Sequence, residues 1–521
     1  MEPGAEADGA RGPSGDAGAG LPRANVGAVY LTVLVIASCG LVYELVAGTL
    51  ASYLLGDSVT QFSLVIGVYL TSMGAGAFLS RFLVRGIARR FVEAETAVAL
   101  VGGLSAPILF FAFSSPLWFS PVFFGLVVLV GILVGLEIPL MMRLLKDAVA
   151  FKDLVAQVLT FDYLGALAAS VLFPLLLLPR LGLVRTAVLF GLLNIAVAFW
   201  SIRLFREQIG APGGLVARAS LVTVLLLVAF ASAGQLTNLA EEQQFADEVV
   251  VAKSTAYQRI VVTRNRAGFQ LFLNGHLQFS SVDEYRYHEA LVHPAFAVVP
   301  GARRVVVLGG GDGLAVREVL KHPTVASVTL VDLDPEMTAL ARTHPLFASL
   351  NDGSLKDPRV TVVNDDAMMW LEKGTDLFDL VVVDFPDPNS YALGKLYTTR
   401  FYALVKRRLD PAGAMAVQST SPLFARQSFW IVATTVEAAG FATRPYHMTV
   451  PSFGVWGYVL ASPRPFAVPT RVIPGLRSIS SETVASLFTF GPDIARVEAP
   501  VNRLNDQVLV RTYEHEWKKF D

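Results

Sequence analysis

Residues 303–334 read RRVVVLGGGDGLAVREVLKHPTVASVTLVDLD. Val305–Leu308 is a short β-branched, apolar run, the pattern of a strand buried on both faces of a parallel sheet. It feeds straight into Gly309-Gly310-Gly311-Asp312-Gly313. A helical pattern follows from Leu314 to Lys321, and a second strand over Ser327–Val331 ends on Asp332. Strand, glycine turn, helix, strand, acid is the opening unit of a nucleotide-binding α/β sheet. Glycines let the backbone turn tightly and approach a ligand closely. The acid about twenty residues on sits where ribose hydroxyls would donate to it. The details do not suit a dinucleotide. A strict G-x-G-x-x-G from Gly309 needs glycine at 314, where Leu314 stands. Asp312, inside the loop, would repel a pyrophosphate and suits a cationic ligand without phosphate. A sulfonium nucleoside, S-adenosylmethionine or a relative, satisfies both points.

Downstream the alternation continues. A third strand, Val360–Val363, leads to Asp365, a helix covers Ala367–Glu372, and a fourth strand, Leu380–Val383, ends at Asp384. The pattern then predicts helix 400–409, strand 414–418, helix 424–439, and strands at 442–449 and 456–461. This order implies a doubly wound, Rossmann-like parallel sheet with its ligand at the carboxyl ends of the strands. Asp312, Asp332, Asp365 and Asp384 all fall on that edge. A single strand-end aspartate is also a common helix cap, so the coincidence carries the argument, not any one of them. Upstream, 247–280 alternates in short β-like runs, with Asn274-Gly275 as a hairpin turn. Residues 283–298 read as a helix packed on the sheet.

Composition sets the rest of the chain apart. Of 521 residues 53% are hydrophobic and 16% charged, with mean hydropathy +0.53, too apolar for an ordinary soluble protein. The excess lies between about 28 and 238. Apolar stretches at roughly 29–54, 62–84, 96–114, 117–141, 156–179, 183–202 and 216–237 are each about long enough to cross a ~30 Å hydrocarbon core. The reading is therefore an N-terminal all-α membrane domain of about seven spans. Its full division is a disordered tail (1–24), the multi-span domain (25–238), a linker and small β-rich subdomain (239–300), the Rossmann-like domain (301–462) and a C-terminal extension (463–521).

Glu44, Glu137 and Asp162 lie in or beside these spans, where a charge costs at least ~2.5 kcal/mol. They either line a path for a cation or lock helix packing through Arg143, Tyr43 or backbone. The net charge of −1 offers no case for nucleic acid. The lone Cys39 excludes an internal disulfide or thiolate site, and the seven histidines lack metal-ligand spacing.

The soluble half, about 247–462, resembles the polyamine aminopropyltransferase family, the spermidine and spermine synthases. The residues that carry the likeness are Gly309-Gly310-Gly311-Asp312-Gly313, Arg317-Glu318-Val319-Leu320-Lys321-His322-Pro323, Tyr257-Gln258, Tyr287-His288-Glu289, His293-Pro294, and Asp384-x-x-Asp387-Pro388. The whole chain resembles the membrane-attached branch of that family. The resemblance implies transfer of the aminopropyl group of decarboxylated S-adenosylmethionine, a co-substrate, to an amine. With putrescine the products are spermidine and 5′-methylthioadenosine. No metal or other cofactor is implied. Asp384 would be the base and Tyr287 its partner. Gly309, Gly311, Asp312, Asp332, Asp365 and Gln258 would hold the donor, with Asp312 on the aminopropyl ammonium. Asp332 stands where the family usually has Glu. Gln278, His288 and Asp387 would serve the acceptor. The family's Asp-Ser-Ser-Asp-Pro loop is here Asp384-Phe385-Pro386-Asp387-Pro388, and Phe453 replaces an acceptor-site tyrosine, so the donor site looks kept and the acceptor site altered.

Two other functions compete: a methyltransferase, against which Asp312 argues because a methionine carboxylate would meet it, and a transporter or sensor with a non-catalytic synthase-like domain. Expected partners are a lipid bilayer, the amine and the sulfonium nucleoside, without nucleic acid; a homodimer is left open. The expected location is the cell membrane. Basic loops at Arg81–Arg90, Arg143–Lys152 and Arg203–Arg218 place the N-terminus in the cytoplasm. Seven crossings would then put the synthase domain outside, whereas its donor is made in the cytosol. The expectation is a cytosolic domain, with the fifth stretch, carrying Asp162 and Pro174, not a full crossing.

Overall fold

The computed structural model of the chain describes residues 26–55, 58–112, 116–146 and 150–520. The expected tail, 1–24, lies outside them. The chain divides into two compact units, the first running to Thr237 except for Ser52–Gln61, which groups with the second, and the second starting at Asn238.

The first unit is helical: α1 (Val26–Leu55), α2 (Ser58–Leu79), α3 (Ile87–Ala112), α4 (Pro116–Leu145), α5 (Phe151–Leu172), α6 (Leu178–Leu204), the short α7 (Arg206–Ile209) and α8 (Gly213–Gln244). Among the described residues six helical runs are long and apolar enough to cross a membrane, where the sequence predicts about seven. The difference lies at Phe151–Leu204, a single run of 54 residues that joins two predicted stretches through a π-helical turn, Phe173–Leu177. The run is not straight: Gly182 sits at φ 73°, ψ 177°, outside helical geometry. The polar run Glu241–Gln244, expected as linker, instead closes α8.

Small residues let these helices touch backbone to backbone. A Cβ on Gly135 of α4 would lie 2.2 Å from the Met73 carbonyl oxygen of α2. Arg143 donates to the carbonyls of Ser80, Leu83 and Pro139 rather than to Glu137. Glu137 is buried, and so is Glu95, which accepts from Asn194 Nδ2 at 3.1 Å. Glu95 escapes the sequence reading because α3 starts nine residues before the predicted stretch (87 against 96) and so takes it in.

The second unit opens with an antiparallel four-stranded sheet in the order β1 (Glu248–Ser254), β2 (Arg259–Arg264), β3 (Phe269–Leu273), β4 (His276–Ser280). Its last turn is Asn274-Gly275, with φ 51° and 82°, the positive values that a two-residue hairpin turn demands. Helix α9 (Glu284–Val298) leads into a seven-stranded sheet. Its strands are β5 (Arg304–Gly309), β6 (Ser327–Asp332), β7 (Val360–Asn364), β8 (Phe378–Asp384), β9 (Leu409–Gln418), β10 (Ala442–Val450) and β11 (Gly454–Ser462). The order across it is β10-β11-β9-β8-β5-β6-β7. From β9 to β7 every pairing is parallel, while β11 runs antiparallel to both its neighbours. The expected parallel sheet thus ends in an antiparallel hairpin, whose edge strand tolerates Pro445.

The helices between are α10 (Leu314–Leu320), α11 (Pro335–Thr343), α12 (Pro345–Leu350), α13 (Ala367–Lys373), α14 (Tyr391–Gly394), α15 (Thr399–Arg408) and α16 (Arg426–Ala438); α17 (Val508–Trp517) follows the last strand. Strand alternation divides the core. Val305, Val307, Leu380 and Val382 pack with α9 and α10 on one face. Val306, Leu308, Val381 and Val383 pack with α15 and α16 on the other. Both faces being covered, the central strands are continuous apolar runs, and polar side chains appear only where those strands end.

Candidate active site

Three strand ends converge. In the parallel ladders Gly309 lies opposite Asp384, and Asp332 opposite Asn364. The glycine turn fits between the two aspartates only because it lacks side chains. A Cβ on Gly309 (φ 79°) would lie 2.2 Å from the Asp384 carbonyl oxygen, and one on Gly311 2.6 Å from Asp332 Oδ2. Asp332 accepts from the Gly311 N–H at 3.0 Å and the Asp334 N–H at 2.9 Å. Burial pushes its carboxyl up to about 6, against the pull of those N–H groups.

Asp384 closes β8. Its Oδ1 accepts from the Tyr287 hydroxyl at 2.7 Å, and Tyr287 is held in turn by Tyr458, whose hydroxyl donates to its carbonyl at 3.2 Å. Burial beside Asp384 raises the Tyr287 phenol well above its usual range, so it remains a donor. Burial raises Asp384 as well, moderated by His288 and by the Tyr287 bond. Oδ2 takes no hydrogen bond among the described residues; His288 Nε2 stands 4.0 Å away. The other nitrogen, Nδ1, contacts Glu284 Oε2 at 2.8 Å, and Glu284 accepts from both terminal nitrogens of Arg317 at 2.8 and 2.9 Å. Burial would discharge His288, but the Glu284 carboxylate outweighs it and lifts the imidazole to about 9. Arg317⁺, Glu284⁻ and His288⁺ therefore alternate in sign toward the strand end where Asp384 stands.

Asp312, two residues ahead of α10, accepts from the Leu314 N–H at 2.9 Å. Burial and the nearby Asp384 raise it to about 6, against His288. Asp387 accepts from Thr420 Oγ1 and from the Tyr513 hydroxyl, each at 2.9 Å, and from Gln418 Nε2 at 3.3 Å. Burial pushes it to about 6 against these donors. Asp312, Asp332, Asp384 and Asp387 all keep partial exposure inside otherwise buried surroundings, as ligand-facing carboxylates must.

Of the other expected residues, Gln258 joins this edge by donating to Asp334 Oδ2 at 2.9 Å. Phe453 stands beside Tyr287, ring centres 6.2 Å apart. Asp365 lies at the end of β7, accepting from the Asp366 N–H, 3.6 Å from Lys373. Gln278 is not drawn in: its amide donates to the His276 carbonyl of its own strand at 3.0 Å. His288 is buried behind Asp384, 2% exposed, rather than lining open space. Sequence reasoning missed Glu284, Gln418, Thr420 and Tyr513. The i, i+4 spacing of Glu284 and His288 on a predicted helix is a readable signal; for Tyr513, 126 residues from its partner, there is none.

A glycine turn between strand-end carboxylates and a tyrosine-held aspartate on a Rossmann-like sheet are the features of a transferase of the spermidine synthase class. Residues 284–469 match the spermine/spermidine synthase domain. A polyamine aminopropyltransferase of Leptospira interrogans is 50% identical over 492 residues, covering 94% of this chain and 99% of that one. Polyamine aminopropyltransferase 2 of Ralstonia nicotianae is 52% identical over 500 residues, covering 94% and 98%. A crystal structure of spermidine synthase in complex with the transition-state analogue AdoDATO superposes with TM-score 0.44 at 25% identity, covering 47% of this chain and 86% of that one. The chain belongs to the polyamine aminopropyltransferase family. It is an aminopropyltransferase, and the two relatives match through its helical unit as well as its synthase unit.

Proposed function

We propose that this chain is a membrane-bound aminopropyltransferase that makes spermidine from putrescine. The observation that carries the proposal is the Tyr287–Asp384 hydrogen bond of 2.7 Å at the lip of the glycine turn, with Asp384 Oδ2 left without a hydrogen bond among the described residues. An alkylamine attacks only as the free base, yet amines of this kind hold their proton to about pH 10. A partly desolvated carboxylate with a raised pKa is suited to take that proton. The amine nitrogen attacks the propyl carbon next to sulfur and the C–S bond breaks. Its electron pair neutralises the sulfonium, giving 5′-methylthioadenosine; the new secondary ammonium keeps its proton, and Asp384 Oδ2 passes to water the one it took from the amine before attack. Tyr287, held protonated, fixes the other oxygen. Gly309 and Gly311 admit the nucleoside, Asp332 takes the ribose hydroxyls, and Gln258 steadies that edge through Asp334. Asp312 pairs with the aminopropyl ammonium of decarboxylated S-adenosylmethionine and disfavours the carboxylated form, which also weighs against methyl transfer. Asp365 lies near the adenine, and Asp387 takes the acceptor's ammonium.

Six apolar helical runs support insertion in the cell membrane. The donor is made in the cytosol, which supports a cytosolic synthase unit; with a cytoplasmic N-terminus this requires Phe151–Leu204, bent at Gly182, to cross once in all. The test is methylthioadenosine release by the purified full chain from decarboxylated S-adenosylmethionine with putrescine, cadaverine and spermidine. Putrescine should give the highest kcat/KM. Release with none of the amines would end the proposal, and a preference for spermidine would reassign the acceptor.

A further inference from the structure

The extension after the last strand forms no sheet, yet it is tied down along its length. The buried Glu289 carboxylate on α9 accepts from the backbone N–H groups of Arg477 and Ser478, both at 2.7 Å. Trp430 Nε1 donates to the Ile494 carbonyl at 3.2 Å. Asn502, fully buried, donates to the carbonyls of Gly394 and Tyr397 and accepts from the Leu509 N–H. Glu516 of α17 then accepts from the N–H groups of Gln427 and Ser428, both at 2.9 Å, in the first turn of α16, where N–H groups lack intrahelical partners. These anchors leave Tyr513 one turn before Glu516 on α17, with its hydroxyl 2.9 Å from Asp387 Oδ2.

We infer that Tyr513, delivered by the C-terminal extension, is a positioning residue of the acceptor site: it holds the Asp387 carboxylate ionised and aimed for the amine. The inference rests on the reading of Asp387 as the acceptor's anion. Thr420 at the carboxyl end of β9 grips the same oxygen, Oδ2, from the sheet side, and Gln418 reaches Oδ1. Gln418 is itself fixed, its Nε2 donating to the Tyr397 hydroxyl at 2.6 Å while its Oε1 accepts from Trp456 Nε1 at 3.2 Å. The carboxylate is thus oriented from two sides, by the sheet and by the strap. The loop between Asp384 and Asp387 lacks the paired serines of the family pattern, so the donors that hold Asp387 come from elsewhere. The titratable groups in its surroundings are Tyr513 from α17 and Tyr397 after α14, which also senses Asp384. Without the Tyr513 hydroxyl Asp387 loses its foremost opposing donor against burial and protonates at higher pH.

The experiment is Tyr513→Phe in the full-length enzyme, which removes one hydroxyl and keeps the ring against Trp517 (centres 5.8 Å apart). KM for putrescine should rise about tenfold, the scale of a hydrogen bond to a charged group, with kcat within about twofold, donor KM unchanged and melting temperature held. The acidic limb of kcat/KM for putrescine should move to higher pH. In an Asp387→Asn background the same substitution should add little, because the two residues act through one group. An unchanged putrescine KM, equal losses for donor and acceptor, additive effects in the double variant, or an unfolded Tyr513→Phe protein would each overturn the inference and make Tyr513 a packing residue. If the wild type itself turned over no amine, the underlying reading of the site would fail, and this inference with it.

Discussion

Asp384 is proposed as the base because its two oxygens are treated differently. Tyr287 engages Oδ1, while Oδ2 keeps its lone pairs beside the glycine turn. Asp384→Asn preserves the shape and removes the basicity. It should lower kcat by ~10²–10⁴ and leave donor affinity largely intact, read by steady-state kinetics beside calorimetric titration of the donor. A variant with more than half of wild-type turnover would remove Asp384 from that role. Asp312 tests the donor. Asp312→Asn should weaken decarboxylated S-adenosylmethionine by roughly 1.5–3 kcal/mol, the worth of a charge-assisted hydrogen bond. The carboxylated analogue should lose far less, since it is relieved of a repulsion. Equal losses in the two titrations would refute the contact.

At the scale of elements, α9 and α10 are joined by ions rather than by apolar packing alone. Arg317 of α10 and His288 of α9 share Glu284, and Glu318 accepts from Arg317 Nε at 2.9 Å and lies the same distance from His293 Nε2. The sign follows from the raised imidazole. His288 is lifted from its ordinary 6.5 to about 9, so its contribution to stability is complete below about 6.5 and is lost as pH rises toward 9. The melting temperature of the full chain in detergent should therefore fall across that window. Glu284→Gln should remove most of the slope. It should also cost about 3–5 kcal/mol at pH 7, the usual penalty for leaving buried charges without their partner. A melting curve that Glu284→Gln leaves in place would show that the chain of charges adds nothing to the fold.

The whole molecule poses the question of sidedness. Basic residues at Arg81–Arg90 favour a cytoplasmic N-terminal side by the positive-inside rule, and the side of the synthase unit then turns on whether Phe151–Leu204 crosses once or twice. The 54-residue run Phe151–Leu204 is decisive: a straight helix that long would measure roughly 80 Å, more than twice a bilayer core. A tilt at the Gly182 bend makes one crossing of it and keeps the synthase unit on the N-terminal side, whereas a fold-back there makes two and puts it on the other. In a Cys39→Ser background, a cysteine at the exposed Lys373 should resist a membrane-impermeant thiol reagent in intact cells and react after lysis. Labelling without lysis would place the synthase unit outside.

Periodicity and glycine placement made the sheet legible from the sequence. Val305–Leu308 and Leu380–Val383 are buried on both faces, so their apolar runs and the aspartates that end them carry an unmistakable signal, and Gly309 and Asp384 do meet in register. The helical half was legible as apolar length, because a bilayer core demands about twenty residues per crossing whatever their order. Whether α5 and α6 make one crossing or two was not, because the π-helical turn and the bend at Gly182 that join them depend on local backbone geometry that hydropathy averages away. Nor could spacing reveal partners brought together by folding. Gln278, expected at the acceptor from the resemblance, bonds within its own strand. Tyr513 reaches Asp387 across 126 residues, because an extension without regular pattern is pinned by Glu289, Asn502 and Glu516 to elements it does not resemble. Such contacts arise from the packing of one element on another, and only the tertiary structure decides them.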